Sequence, residues 1–101
     1  MKLECIENPG PHEKIVVRDC EPNKFIPFAL CNIEDEKTWR VYHTPSGRWV
    51  FAGKEADCNL FLTHLEGLCA DVSVDWDFDK SKGLKDNHVK LLHSARDLTK
   101  Q

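Results

Sequence analysis

The run Thr38 to Gly53, TWRVYHTPSGRWVFAG, decides the fold class, because two alternating segments meet at a turn of specific chemistry. Thr38 to Thr44 and Arg48 to Gly53 are rich in the aromatic and β-branched residues that suit strands. Between them, Pro45-Ser46-Gly47 fits a type I turn followed by a left-handed residue, so Gly47 is expected at positive φ. This register sets Val41 opposite Phe51 and His43 opposite Trp49. Trp39, Val41, His43, Trp49 and Phe51 then share one face, and Arg40, Tyr42, Arg48 and Val50 the other.

Past the hairpin the period becomes helical. Cys58, Phe61, Leu62, Leu65, Leu68 and Cys69 recur on one stripe of an amphipathic helix over 54–69. Glu55 and Asp57 suit its first turn, and Gly67 is a candidate unwinding point. Next, Asp71 to Asp79 (DVSVDWDFD) alternates throughout. It reads as a strand with Val72, Val74, Trp76 and Phe78 inward and Asp71, Ser73, Asp75, Asp77 and Asp79 outward. Residues 86–100 form a second, weaker helix, capped by Asp86 or Asn87, with Val89, Leu92 and Ala95 or Leu91, Ala95 and Leu98 as its apolar stripe.

Before the hairpin, strands are expected at 2–6, 13–20 and 25–33. Asn8-Pro9-Gly10-Pro11 and Glu21-Pro22-Asn23 separate them, and Glu34 to Lys37 is a polar turn. The last of these strands, FIPFALCNI, is apolar almost throughout, as in a strand covered on both faces, although Pro27 weakens its first half. The reading is one α+β domain over 1–101: a mostly antiparallel sheet of about five or six strands, including the hairpin at 38–53, covered by the helix at 54–69, with a C-terminal helix at 86–100.

Composition narrows the function classes. The chain has 101 residues, 14 Lys and Arg, and 17 Asp and Glu, for a net charge of -3, which excludes the broad basic field of a non-specific nucleic-acid binder. The five cysteines are odd in number, widely spaced and set in apolar runs, so they read as reduced core thiols of a cytoplasmic protein. Neither a membrane-spanning run nor a hydrophobic leader core is visible.

Catalytic and cofactor motifs are missing: there is no glycine-rich phosphate loop, no G-x-S-x-G, no H-E-x-x-H and no CxxC, so neither a cofactor nor a metal is expected. A calcium loop starting at Asp75 would place Lys80 where glycine is required. The expected function is therefore a non-enzymatic interaction module, an adaptor or inhibitor of the small type that phages encode. Its expected partner is a protein with a basic surface, bound through Asp71, Asp75, Asp77 and Asp79. On a strand these carboxylates repeat roughly every 6.6 to 6.8 Å, close to phosphate spacing, so the face could mimic a nucleic acid. An alternative face, Arg40, Tyr42, Arg48 and Lys54, would stack and neutralise single-stranded nucleic acid. A second alternative is metal-dependent or acid/base catalysis at the aspartates. The sequence does not indicate an oligomeric state.

Overall fold

A computed structural model of the chain describes residues 1–7, 14–25, 27–33, 37–70, 72, 74–77 and 84–100. Six strands and two helices follow in the order β1 (Lys2–Ile6), β2 (Ile15–Asp19), β3 (Glu21–Pro22), β4 (Phe28–Asn32), β5 (Trp39–His43), β6 (Arg48–Gly53), α1 (Glu55–Cys69) and α2 (Asp86–Thr99). The class is α+β, with every strand pair antiparallel.

The strands form two sheets, where the sequence suggests one. β1 and β2 pair as a ribbon, and the other four form a sheet in the order β3-β4-β5-β6. Pro22 sits in the two-residue edge strand β3, where its missing N–H costs least. β4 begins at Phe28, directly after Pro27, and is covered on both faces. Phe28 and Leu30 enter a core with Val41, Phe51, Phe61, Leu65 and Leu92 under the helices. Ala29 and Cys31 enter a second core with Leu3, Cys5, Cys20 and Tyr42 beneath the ribbon.

Phe51 and Phe61 join sheet to α1 by stacking at 4.5 Å between centroids. α1 runs through Gly67 to Cys69, so Gly67 does not end it, and the Ala70 N–H returns to the Gly67 carbonyl. α2 begins one residue earlier than its acidic residues suggest, with Lys85 as N-cap. Its buried positions are His88, Leu92, Ala95 and Thr99, which keep Leu92 and Ala95 of the expected stripe and add two polar residues; α2 is more amphipathic than α1, where the sequence suggests the weaker helix.

Two features of the hairpin decide later arguments. Gly47 has φ +71°, as its place in the turn requires, and its N–H closes the loop on the His43 carbonyl at 2.9 Å. Val41 pairs with Phe51, but an irregularity follows, so Tyr42 faces Trp49 and His43 faces Arg48. The extra residue is Val50. This bulge moves Trp49 off the buried face and leaves it 44 % exposed.

Candidate functional site

The acidic segment is not a strand over residues 74–77; it is an extended stretch pinned by distant side chains. Trp76 is inserted into the helix-side core at 7 % exposure, edge-on to Phe28 with centroids 5.2 Å apart and 4.7 Å from the His88 ring. Val74 is half-buried, whereas Val72, expected inward, is 49 % exposed. Asp75 and Asp77 are both exposed, and Asp71 and Asp79 lie outside the described residues.

Two buried histidines take the place of a neighbouring strand. His88 Nε2 donates to the Asp75 carbonyl at 2.6 Å, and His43 Nε2 donates to the next carbonyl, that of Trp76, at 2.5 Å. Because a carbonyl oxygen can only accept, each ring carries a proton on Nε2. The Lys85 N–H donates to His88 Nδ1 at 3.2 Å, and the Ser46 hydroxyl lies 2.7 Å from His43 Nδ1. Burial holds His43 below the usual histidine range, and the neighbouring His88 adds to the effect, against opposing contributions from the Trp76 carbonyl and Asp77. Asp75 Oδ1 accepts the Asp77 N–H at 2.8 Å, a local turn that orients the Asp75 carboxylate against the backbone. Chemically, the arrangement presents two exposed carboxylates on a backbone held from below. Among the described residues no three His, Cys, Asp or Glu side chains group to hold a metal ion.

Of the alternative face of Arg40, Tyr42, Arg48 and Lys54, the structure brings together Arg40 and Tyr42, whose hydroxyl accepts from the guanidinium at 3.4 Å, but it buries the tyrosine ring instead of presenting it. Tyr42 is fully buried in the ribbon-side core, where burial pushes its hydroxyl up to about 12. Arg40 hydrogen-bonds Glu7 at 2.7 Å and lies 5.2 Å over the Trp49 ring. Arg48 starts β6, and Lys54 follows its far end. Glu7 also accepts from Arg18 at 2.6 Å, so one carboxylate bridges two guanidinium groups. Burial alone would raise Glu7, but the two arginines outweigh it and hold its carboxyl below the usual range. The cation–aromatic surface that remains is Arg40 on Trp49, a pair the sequence could not supply without the bulge.

All five cysteines are free thiols. Cys5, Cys20 and Cys31 meet in the ribbon-side core, and burial raises Cys5, and Cys20 strongly, above the ordinary thiol range. Burial likewise raises Cys58, to about 11, and Cys69. Such thiols are poor nucleophiles.

Comparison with protein-family models, with curated proteins and with solved structures gives no match to this chain. Among the described residues, no helix is long and apolar enough to cross a membrane.

Proposed function

We propose that the protein is a non-enzymatic interaction module, an adaptor or inhibitor, that engages a basic surface on another protein through its acidic segment. One observation carries this reading: Asp75 and Asp77 are exposed on either side of a buried Trp76, on a backbone held by His43 and His88. Carboxylates carried on a held backbone lose less conformational entropy when they meet Arg and Lys groups, and their charge raises the rate of encounter.

The test is a binding series with partners captured from the native host, using wild type and an Asp75→Asn/Asp77→Asn variant. Asn at position 75 keeps an oxygen for the Asp77 N–H, so the variant removes charge while keeping the turn. The reading expects slower association for the variant and a wild-type complex that weakens as salt rises. Equal affinity and equal salt response for the two proteins would reject it. A wild-type melting temperature that rises with calcium or magnesium, and does not rise in the variant, would instead support the metal reading.

A further inference from the structure

A cleft runs between the outer side of β6 and helix α2. One part, about 240 Å³, is lined by Trp49, Val50, Leu84, Val89 and Leu92, with His93 and Arg96 at its rim. A second, about 290 Å³, shares Trp49 and Leu84 with it and continues past Arg48 towards Ile6 and Glu7. The bulge at Val50 is what turns Trp49 into this groove. Trp49 and Leu84 are 44 % and 37 % exposed, so two large apolar side chains meet solvent side by side.

We infer that this cleft is a docking site for an extended segment of another protein that carries both acidic and apolar residues. Charge complementarity selects the acidic component. The cleft's exposed cation is Arg96, with His93 beside it, while the one carboxylate in the walls, Glu7, is already shared between Arg18 and Arg40. Arg96 has an exposed contact with Asp97 at 3.7 Å, too long and too wet to hold it against a better partner. The backbone selects the extended form. β6 ends the strand order of the four-stranded sheet, and among the described residues no strand pairs with its outer edge. A peptide laid along it presents its backbone to the β6 edge, and the side chains that turn into the cleft meet the apolar walls at Trp49 and Leu84 together with the exposed Arg96 guanidinium. An exposed tryptophan beside arginine is also the composition that anchors protein interfaces.

The experiment is fluorescence anisotropy with three labelled probes: a peptide alternating Asp with Leu and Phe, the same peptide with Lys replacing Asp, and an oligothymidylate. The expected result is saturable binding of the acidic peptide, weakened at least about tenfold by Arg96→Glu and by Leu84→Asp. Leu60→Asp, which alters an exposed leucine on α1 away from the cleft, should leave it unchanged, as should Asp75→Asn/Asp77→Asn. Both cleft positions are exposed, and circular dichroism confirms folding of each variant; Leu84→Ser replaces Leu84→Asp if the latter unfolds. The inference is overturned if the acidic peptide does not bind, if the cleft variants bind it as wild type does, if the Lys peptide binds equally, or if oligothymidylate binds and competes. Loss of binding in the Asp75→Asn/Asp77→Asn variant would also overturn it, since that places the peptide on the acidic segment.

Discussion

His88 and Asp75 are joined ring to backbone, Nε2–H to carbonyl at 2.6 Å, and this single contact ties the first turn of α2 to the acidic segment. The same ring accepts the Lys85 N–H, so His88 caps its own helix with one nitrogen and holds a remote chain with the other. His88→Phe keeps the ring's bulk and removes both bonds. It is expected to lower unfolding free energy by about 1 to 3 kcal/mol. Urea denaturation measures this, and a change within a few tenths of a kcal/mol would show that the contact is not stabilising.

His43 gives the protein a pH dependence of defined sign. Its folded-state value lies below 6.5, the unperturbed value, so as pH falls the unfolded chain takes up the proton first. Stability is therefore complete above about pH 6.5 and declines below it. The urea midpoint should fall between about pH 7 and about pH 5, and His43→Phe should flatten that slope.

Glu7 acts in a separate window. With its carboxyl held below 4.5, the stability that it adds is present above that value and is lost as pH falls through the folded-state value. Glu7→Gln should cost about 1 to 3 kcal/mol at neutral pH, because two partly buried guanidinium groups lose their shared acceptor. The check is thermal unfolding of wild type and variant at neutral pH and again in acid, where the two should converge.

Two glycines should respond in opposite directions to the same substitution. A Cβ on Gly47 would lie 2.2 Å from the Glu4 backbone oxygen, on a residue already at φ +71°, so Gly47→Ala should cost at least about 2 kcal/mol. Gly67 lies inside α1, with nothing within 4 Å of the new methyl, and Gly67→Ala should stabilise by about 0.5 to 1 kcal/mol. Comparing the two unfolding curves with wild type tests both the close approach of β1 to the hairpin turn and the continuity of α1.

The helix-side core has a simple test in Leu62, which is 2 % exposed on α1. Leu62→Ala should cost about 2 to 5 kcal/mol. A loss below about 0.5 kcal/mol would mean that this face of α1 is not packed.

What the sequence makes legible is what is encoded locally. The turn at Gly47, the Val41–Phe51 pair, the apolar stripe of α1 and the double burial of β4 all follow from periodicity and turn chemistry within a few residues. Positions set by distant partners are not legible. Trp76 and its flanking aspartates alternate as a strand would, but an extended segment with one anchored ring gives the same pattern, and the donors that hold it come from His43 and His88, far away in the chain. The bulge at Val50 leaves no mark in composition, so Trp49 was expected on the buried face; the same shift creates the cleft and places Trp49 under Arg40. Tyr42 reads as an exposed stacking platform because the ribbon that covers it, residues 2–19, lies well upstream in sequence.

β4 is the strand through which both cores communicate, since its alternate side chains belong to different clusters and it pairs with β3 on one side and β5 on the other. Solvent cannot reach its amides by peeling away either layer alone. Deuterium should therefore enter Phe28 to Asn32 at the rate set by complete unfolding, whereas the β1–β2 ribbon, hydrogen-bonded as a pair outside the larger sheet, should exchange through a smaller, faster opening. The molecule would thus carry two exchange clocks: a slow one on the central strand and a faster one on the ribbon that covers the thiols.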